Sequence, residues 1–431
     1  MKVIVFGCEL AGLVTAGALA QAGNHVLAVP LGDLESCKLS ALELPRSEPG
    51  LKQLLDIQLT ENRLQFVDDW HDQIEDTQVV FFSMPSWQLS LADKFLQQVV
   101  TLVKEPLLII NQSSFAVGTA DHFRNMIESQ SIDGQQLEIK IAVVPEFISE
   151  GSAINDFTRP DRIIVGTEDA EVFTIVANLM RPFNRVKDQI IKMSTRSAEF
   201  TKFAVNAFLA TRISLINELA NSAEKIGVDI EEVRNGIGSD SRIGFNYLYP
   251  GCGFGGPSFA ADVKALVAML RTEGQEPELL ETALAINEAQ KEILFRKAWR
   301  YYKGDLSGRC FAIWGLSFKP NTATIENAAS LKILEALWSQ GAITQVYDPK
   351  AMQAIKNHFG DRAQLVLCSD PYSAAENADA IMIVTEWKNF WSPDLPRLKQ
   401  LMRAAVIFDG RNILEPTSVT AQGFEYFGIG R

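Results

Sequence analysis

Apolar residues recur with a helical period in the middle of the chain and predict one long helix over residues 197–226. Between residues 203 and 220 they occupy nearly every face, and only Arg212 and Glu218 carry a charge. A helix that is apolar on most faces is packed on several sides. We therefore expect a buried helix around which the chain is organised, with Gly227 as its stop signal.

Two polar residues near the start of this helix stand apart from its apolar pattern. Lys202 and Asn206 are four residues apart and therefore lie on one face. A cation and an amide contribute little to apolar packing, so we interpret the pair as site residues. A glycine-rich loop follows the helix at residues 251–262 and reads Gly-Cys-Gly-Phe-Gly-Gly-Pro-Ser-Phe-Ala-Ala-Asp.

At the amino-terminal end, short apolar strands alternate with a glycine turn and an alanine-rich helix. Residues 2–6 predict a buried strand, the turn between Gly7 and Gly12 leads into a helix, and residues 26–29 predict a second strand. This order is that of a Rossmann βαβ unit. A signal peptide is the alternative for such an apolar start, but Glu9 interrupts the stretch and favours the strand–turn–helix interpretation.

The same turn departs from the fingerprint that binds a dinucleotide. In that fingerprint a second glycine lets the backbone approach the pyrophosphate, and an acidic residue after the second strand holds the ribose hydroxyls. Here Glu9 stands at the glycine position and Pro30 at the acidic position. Asp33 substitutes for the missing acid only if the loop takes a different path. The sequence therefore predicts the fold without its full ligand chemistry.

Further buried strands continue the α/β pattern in two separate blocks. The first block has strands at residues 79–83, 107–111, 142–144 and 163–165; the second has strands at 310–315, 344–347, 380–384 and 405–408 and a helix at 330–340. A helical stretch at 277–302 lies between them. Ligand-contacting loops follow the ends of such strands, which places Ser83, Ser113 and Ser114 at a predicted crevice.

Composition limits the classes of protein to consider. The chain has 431 residues, of which 47% are hydrophobic and 22% charged, so we expect two or three globular domains. No apolar run reaches the roughly 18 residues of a membrane span, and a formal net charge of −13 opposes general binding to nucleic acid. Five cysteines without a CxxC pair predict reduced thiols in the cytoplasm, without disulfides or a metal site.

Nine short motifs, in order along almost the whole chain, resemble those of the nucleotide-sugar dehydrogenases of the UDP-glucose 6-dehydrogenase type. They are Glu48-Pro-Gly, Pro145-Glu-Phe-x-x-Glu-Gly-Ser-Ala, Lys202-x-x-x-Asn206-Ala-Phe-Leu-Ala-Thr, Gly236-Ile-Gly-Ser-Asp-x-Arg-Ile-Gly, the glycine loop, Trp314-Gly-Leu-Ser-Phe-Lys-Pro-Asn-Thr, Val346-Tyr-Asp-Pro-Lys, Thr385-Glu-Trp and Asp409-Gly-Arg-Asn. A lone glycine fingerprint is weak, whereas nine dispersed motifs in one order are hard to obtain by chance.

The resemblance implies an α/β fold with two Rossmann-like doubly wound parallel sheets, joined by a central long helix and a helical dimerisation domain. The implied domains are an NAD-type domain at 1–193, a central domain at 194–302 and a UDP-sugar-binding domain at 303–431. It also implies a cytoplasmic homodimer that serves polysaccharide biosynthesis. Such enzymes oxidise a primary alcohol to a carboxylate in two NAD-dependent steps, with the intermediate held on a cysteine of the glycine loop.

The glycine loop lacks that cysteine. The family's Gly-Gly-Ser-Cys-Phe-Pro-Lys-Asp is replaced by Gly-Gly-Pro-Ser-Phe-Ala-Ala-Asp, which puts Ser258 at the cysteine position and Ala261 at the lysine position. A thiolate is nucleophilic near neutral pH, whereas an unassisted hydroxyl is far weaker. Cys252 could take the place of the missing cysteine only with a refolded loop. We therefore predict that Cys252 is a buried cysteine with a packing role. A further departure, Glu326, stands at an arginine position near the cofactor side.

Other positions match the family residue by residue. The implied catalytic group comprises Lys202, Asn206, Asp262 and Glu146, with Ser258 for cysteine and Ser114 for threonine; the cofactor group comprises Gly7, Gly12, Ser83 and Glu150 beside the altered Glu9 and Pro30. The implied substrate contacts are Phe147, Ile148, Arg242, Tyr249, Gly253, Phe254, Gly255, Phe259, Lys319 and Arg411. Structural roles are the alternatives: Glu150 caps the next turn, and Lys202 pairs with a carboxylate.

Because the departures fall on cofactor and nucleophile positions, we interpret the chain as a degenerate member of the family. In this interpretation it is a pseudoenzyme with weak or absent NAD binding. It keeps UDP-glucose or UDP-glucuronate binding and serves as a sensor, a scaffold or the partner subunit of a genuine dehydrogenase. The alternative is an active NAD-dependent enzyme that oxidises UDP-glucose to UDP-glucuronate, or only to the aldehyde, because hydride transfer needs a base and a cofactor but not the thiol.

Overall fold

The computed structural model describes residues 1–31, 44, 46–130, 138–184 and 189–431. Asp33, the alternative ribose ligand, and Cys37 lie outside the described residues. The described chain separates into two compact units, Met1–Ala204 and Val205–Arg431. The boundary between the units falls within the long helix, and the three-domain division stays a prediction.

The described part of the first unit contains an eight-stranded sheet in the order β3-β2-β1-β4-β5-β6-β7-β8. Its strands are β1 Lys2–Phe6, β2 His25–Val29, β3 Leu64–Phe66, β4 Val79–Phe82, β5 Leu107–Asn111, β6 Ile139–Val143, β7 Ile163–Gly166 and β8 Ile190–Met193. The strand pairs are parallel except β6 and β7, where Val143 opposes Gly166 in antiparallel register. The sheet is thus a parallel Rossmann sheet with one reversal.

Two apolar cores lie against the opposite faces of this sheet, because successive strand residues point to opposite sides. Val3 and Val5 belong to one core, and Ile4 and Phe6 to the other. Burial on both faces explains why the strands are continuous apolar runs. Within the described part of this unit, the α-helices before the long helix are α1 Leu10–Gln21, α2 Leu51–Thr60, α3 Leu89–Leu102, α4 Thr119–Ser129, α5 Ala153–Thr158 and α6 Ala170–Met180.

The second unit contains a six-stranded parallel sheet in the order β11-β10-β9-β12-β13-β14. Its strands are β9 Cys310–Trp314, β10 Ile343–Tyr347, β11 Leu365–Leu367, β12 Ala380–Ile383, β13 Val406–Asp409 and β14 Glu425–Phe427. Numbered from its own first strand, the order is that of a doubly wound dinucleotide-binding sheet, and the first six strands of the other sheet have it too. The predicted fold class is confirmed.

The long helix, α7 Thr195–Ile226, leads into the helices of the second unit. These are α8 Ile230–Ser239, α9 Phe259–Thr272, α10 Glu278–Gln290, α11 Ile293–Tyr301, α12 Ala329–Ser339, α13 Met352–Phe359, α14 Pro371–Ala375, α15 Leu395–Leu401 and α16 Pro416–Ala421. The helical stretch predicted at 277–302 is thus divided into α10 and α11. Neither glycine nor proline marks this break, so the sequence pattern continued through it.

The long helix is less buried in the single chain than its pattern predicts. Phe208, Leu215 and Leu219 lie on one face and are 67%, 53% and 39% exposed. The prediction of packing on several sides is therefore wrong for this face. Within the described residues, none of the helices is both long and apolar enough to cross a bilayer, and no cluster of three His, Cys, Asp or Glu side chains is placed to hold a metal ion.

Candidate functional site

The turn between β1 and α1 contains two glycines at positions where a side chain would clash with the backbone. Gly7 has φ +104°, and a Cβ there would collide with the carbonyl oxygen of Ser83. A Cβ on Gly12 would collide with the carbonyl oxygen of Gly7. Ser83 lies next to this turn, with its Cβ 3.5 Å from where a Cβ on Gly12 would lie, and its buried hydroxyl has no hydrogen-bond partner among the described residues. The tight turn of a dinucleotide fold is therefore intact.

The second position of the fingerprint is occupied by a charged network that the sequence did not predict. Glu9 is the N-cap residue of α1, but its carboxylate accepts no hydrogen bond from the helix. Arg46 lies beside it instead, with Nε 3.7 Å from Glu9 Oε2 and Nη1 3.6 Å from Glu150 Oε2. Pro30 follows β2 and is buried. Glu150, predicted as a cofactor ligand or a cap, is here the partner of Arg46.

Glu146 and Lys202 form an ion pair in the first unit. Lys202 Nζ donates to Oε1 of Glu146 at 2.8 Å and to its main-chain oxygen at 2.6 Å, while the Ile148 N–H donates to Oε2 at 2.8 Å. Both side chains are largely buried, so the pairing offsets the cost of removing two charges from water. The structure thus brings three predicted site residues together and also satisfies the structural alternative for Lys202.

Phe147, a predicted substrate contact, lies between the same lysine and a cation that sequence reasoning missed. Its ring centroid is 5.5 Å from Lys202 Nζ and 3.9 Å from the guanidinium carbon of Arg162. Burial lowers the pKa of Arg162, because its charged form loses hydration. Both distances are within the range of cation–π attraction. Ser114 lies half-buried after β5.

Glu48, quoted above only as part of a motif, holds the segment that carries Glu150. Its buried carboxylate accepts hydrogen bonds from the N–H groups of Gly151 at 2.5 Å and Ala153 at 2.9 Å. These groups lie at the start of α5, where N–H groups have no partner within the helix. Glu48 therefore caps this turn. Because Glu48 is more than a hundred residues away from these N–H groups in sequence, no local sequence pattern predicts the contact.

In the second unit, α7 and the start of α9 share a polar contact. Asn206 Nδ2 donates to Asp262 Oδ2 at 2.6 Å, and Asp262 is buried. Ser258 is the N-cap residue of α9; it is exposed, and its side chain makes no capping hydrogen bond. The predicted catalytic residues of this unit thus lie together at one helix end.

The glycine loop is held by amides that the sequence analysis did not single out. Asn217 accepts from the Gly251 N–H at 2.8 Å, Gln290 donates to the Gly251 oxygen at 2.8 Å, and Asn287 makes two hydrogen bonds to the Phe254 backbone at 2.7 and 3.0 Å. These side chains are almost fully buried. Their pairing rigidifies the loop, since a buried amide costs free energy unless it is hydrogen-bonded.

Cys252 belongs to the interior of this loop. It is fully buried, and its Sγ donates to the Gly410 oxygen at 3.3 Å. Burial raises the pKa of its thiol to about 12, because the thiolate loses hydration. The prediction of a packing cysteine is confirmed, and this thiol does not supply a thiolate near neutral pH.

The predicted substrate contacts divide into two groups. Arg411 is mostly buried; its Nε donates to Val384 O at 2.7 Å, and a Cβ on Gly251 would lie 3.2 Å from its Nη1. Lys319 Nζ is 5.5 Å from the centroid of the Phe318 ring, which lies against Gly256, while the Phe318 Cβ lies against Gly255. These two cations therefore flank the glycine loop, where Phe254 and Phe259 pack edge to face at 4.9 Å.

Two other predicted contacts pair with side chains outside the loop. Arg242 is 86% exposed and pairs with Asp240 at 2.6 Å. Tyr249 is exposed and lies under the guanidinium of Arg234 at 4.6 Å. Gly253 has φ +79° and lies against Asn287, so it is required by the loop itself.

Three domain profiles of one family match the chain in order. They are the NAD binding domain at residues 1–184, the central domain at 196–289 and the UDP binding domain at 312–416. The chain is also 38% identical over 442 residues to UDP-glucose 6-dehydrogenase of Pseudomonas aeruginosa, covering 100% of this chain and 98% of that protein. The chain belongs to the UDP-glucose/GDP-mannose dehydrogenase family. The predicted resemblance is confirmed.

Other members of the family show the same full-length similarity. UDP-glucose 6-dehydrogenase of Rhizobium meliloti is 34% identical, with 100% of both chains covered. The structure of a UDP-glucose dehydrogenase from Pyrobaculum islandicum has a TM-score of 0.88 at 26% identity and covers 100% of this chain and 97% of that one. The likeness therefore extends over every described element.

The family's first domain binds NAD, and the residues of this chain fit that cofactor only in part. Gly7, Gly12 and the unpaired Ser83 hydroxyl form a cradle suited to a diphosphate. Glu9 places a carboxylate at the glycine position, and Pro30 offers no side-chain acceptor for ribose hydroxyls. The glycine turn therefore matches the family's cofactor site, whereas positions 9 and 30 depart from it.

Proposed function

We propose that the chain is a degenerate nucleotide-sugar dehydrogenase that has lost four-electron oxidation and retains UDP-sugar binding. The observation that carries this proposal is the absence of a thiol at Ser258, the exposed N-cap residue of α9. An acyl intermediate needs a nucleophile that is ionised near neutral pH, and a serine hydroxyl without a neighbouring base is not. Cys252 supports the proposal, because its thiol is buried and protonated.

UDP-sugar binding is supported by the cations beside the glycine loop. Arg411 and Lys319 suit a diphosphate, which accepts bidentate and charge-assisted hydrogen bonds. The match of residues 312–416 to the family's UDP binding domain supports the same ligand class. We propose UDP-glucose or UDP-glucuronate as the ligand. Millimolar concentrations of either should raise the melting temperature, and an unchanged melting temperature would contradict this part of the proposal.

The loss of the nucleophile is tested by rebuilding the site in steps. NADH and UDP-glucuronate are assayed for the natural chain, for Glu9→Gly/Pro30→Asp, and for that double variant with Ser258→Cys and Ala261→Lys added. Only the last variant should form appreciable UDP-glucuronate, because it alone combines the glycine turn with a thiol and its neighbouring cation. Turnover to the acid by the natural chain at an ordinary enzymatic rate, about 10 per second, would overturn the proposal.

A second candidate function is slow NAD-dependent oxidation of UDP-glucose that ends at the aldehyde. The paired Lys202 and Glu146, and the Asn206–Asp262 contact, favour it, since these groups suit acid–base work without a thiol. Titration with NAD alone separates the two functions: micromolar affinity supports the enzyme, and weak or absent binding supports the pseudoenzyme.

The partners belong to the same proposal. The exposed apolar face of α7 supports a homodimer joined through the central part of the chain, as well as pairing with a genuine dehydrogenase. The thiols of Cys252, Cys310 and Cys368, which form no disulfide within the described residues, support the proposed cytoplasmic location.

A further inference from the structure

The start of α8 is held by the segment that follows β14. Asp229, the N-cap residue of α8, accepts the Glu231 N–H at 2.8 Å through one carboxylate oxygen and Arg431 at 3.0 Å through the other. The Ile230 N–H donates to the Gly430 oxygen at 2.9 Å. Because the N–H groups of a first helical turn have no partner within the helix, these contacts fix the place of α8 within the second unit.

Asn412 joins the loop after β13 to the same place. Its φ of +52° lies in the left-handed region, which asparagine enters more readily than most residues. Its side-chain oxygen accepts the N–H of buried Ile429 at 2.8 Å, and its Nδ2 donates to the Ile429 oxygen at 2.9 Å and to Glu231 Oε1 at 3.2 Å. Arg411 is the preceding residue, so Asn412 ties the backbone that carries this cation to α8.

Glu231 accepts from a second side chain with its other carboxylate oxygen. Arg234 Nε donates to Oε2 at 2.6 Å, and only 19% of the Glu231 side chain and 15% of the Arg234 side chain are exposed. The guanidinium carbon of Arg234 lies 4.6 Å from the centroid of the Tyr249 ring, which is within the range of cation–π attraction. The Glu231 carboxylate therefore connects Asn412 with Arg234, and each of these adjoins a predicted substrate contact.

We propose that Glu231 is a positioning residue for UDP-sugar binding, which holds the Arg411 loop through Asn412 and the Tyr249 ring through Arg234. This inference rests on the proposed function and deepens it, because it adds a residue that acts through the ligand contacts. Both carboxylate oxygens of Glu231 are engaged by neighbouring side chains. Its effect on a ligand is therefore indirect.

The number of acceptors explains why this position requires a carboxylate. Glutamate has two acceptor oxygens, whereas glutamine has one oxygen and an NH2 group that donates. An amide and a guanidinium both donate to Glu231, so a glutamine there satisfies only one of them. Arg411 is also anchored within its own sheet, since its Nε donates to the Val384 oxygen and its N–H to Asp409. Loss of the Glu231 carboxylate should therefore loosen the link between the two contacts while the sheet stays in place.

The test is calorimetric titration with UDP-glucose and, separately, with UDP-glucuronate. Glu231→Gln should weaken binding about tenfold for whichever nucleotide the natural chain binds. Arg234→Met should also weaken it, and the double variant should bind no more weakly than Glu231→Gln, because both changes break one connection. Arg234→Lys should retain most of the affinity, since an ammonium also pairs with a carboxylate and is attracted to an aromatic ring.

A second measurement reads the connection without a ligand. Asn412→Ala and Arg234→Met each remove one donor from Glu231. Together they should lower the melting temperature by less than the sum of their separate effects, and the two effects should become additive in the Glu231→Gln background. Glu292→Gln is the matched control, because it removes a carboxylate that pairs with Arg296 at the start of α11 in the same unit. It should leave nucleotide affinity unchanged.

The outcomes separate a positioning role from a structural one. Unchanged affinity in Glu231→Gln, measured below its melting temperature, would overturn the inference even if the variant is less stable. An equal loss of affinity in Glu292→Gln, or additive melting effects in the natural background, would overturn it too. If the natural chain binds neither nucleotide at millimolar concentration, the proposed function fails, and the melting cycle still decides whether Glu231 connects the two segments.

Discussion

At the scale of single residues, backbone contacts fix the shape of the glycine loop whatever its side chains do. The main-chain oxygen of Ser258, the residue predicted at the cysteine position, accepts the Asp262 N–H at 2.8 Å in the first turn of α9. A Cβ on Gly255 would lie 2.6 Å from the Asn327 oxygen, so the loop still requires glycine there. Chemistry and backbone geometry are therefore separable in this loop.

The buried state of Cys252 leads to a prediction about its reactivity. Because burial raises the pKa of its thiol to about 12, almost no thiolate exists at about pH 8.5, the ordinary pKa of a free cysteine. We expect iodoacetamide to leave Cys252 unmodified in the native protein and to alkylate it after unfolding, as read by peptide mass mapping. Partly exposed Cys368 is the internal control. Rapid native alkylation of Cys252 would show that the loop opens.

At the scale of secondary-structure elements, distant carboxylates supply the N–H acceptors that helix starts lack. Glu48 serves α5, and Glu199 on α7 accepts from the N–H groups of Gly118 at 2.7 Å and Ala120 at 2.8 Å at the start of α4. Each carboxylate joins two elements that are far apart in sequence. These contacts position the segments that carry Glu150 and Ser114.

Removing the Glu48 carboxylate should loosen the start of α5. Glu48→Ala leaves two N–H groups without an acceptor, so we expect a loss of about 1–3 kcal/mol in the free energy of unfolding. Hydrogen exchange should accelerate in the peptide containing Gly151 and Ala153. Glu105→Ala, an exposed glutamate in the same unit, is the control and should leave that exchange unchanged. Unaltered protection in Glu48→Ala would contradict the capping role.

Glu199 should give the protein a distinct pH dependence. Burial raises the pKa of its carboxyl above the ordinary 4.5, against the lowering effect of its two N–H bonds. The folded chain therefore holds this proton at pH values where the unfolded chain has lost it, and stability falls as pH rises through that window. Denaturant titrations from about pH 4 to 7 should show a weaker fall for Glu199→Gln. Equal slopes would show that the charged form is not penalised.

At the scale of the whole molecule, apolar surface on α7 remains uncovered in the single chain. Arg212, on the same helix, donates to the oxygens of Ile243 and Gly244 at 3.0 and 2.9 Å. This contact brings a segment with exposed Ile243 and Phe245 beside the helix. A patch of this kind indicates an interaction surface.

Charging this surface should separate the proposed homodimer. Leu215→Glu places a carboxylate in the middle of the exposed face, where burial without a partner is costly. We expect sedimentation velocity to show a dimer for the natural chain and a monomer for the variant at micromolar concentration. Leu279→Glu, at a leucine on α10 that is more exposed than Leu215, is the control and should remain dimeric. A monomeric natural chain would refute the dimer.

Part of the site could be predicted because its signals are local or shared with a family. Apolar runs predicted the strands, and the dispersed motifs identified Lys202, Asn206 and Asp262. The sequence analysis quoted Glu48 only within a motif and did not single out Asn217. Their roles could not be predicted, because their hydrogen-bond partners lie far away in sequence. Arg46 was missed for the same reason, because Glu9 and Glu150, which lie near it in the structure, are remote from it in sequence.

The sequence by itself determined the family, the doubly wound α/β fold and the presence of a serine at position 258, since residue identity and short-range periodicity decide these. Only the tertiary structure decided that the Cys252 thiol is buried, that Glu9 lies beside Arg46 and that one face of α7 is exposed. Burial and charge pairing depend on distances between residues that are remote along the chain. No periodicity encodes those distances, because packing sets them when the sheets and helices assemble.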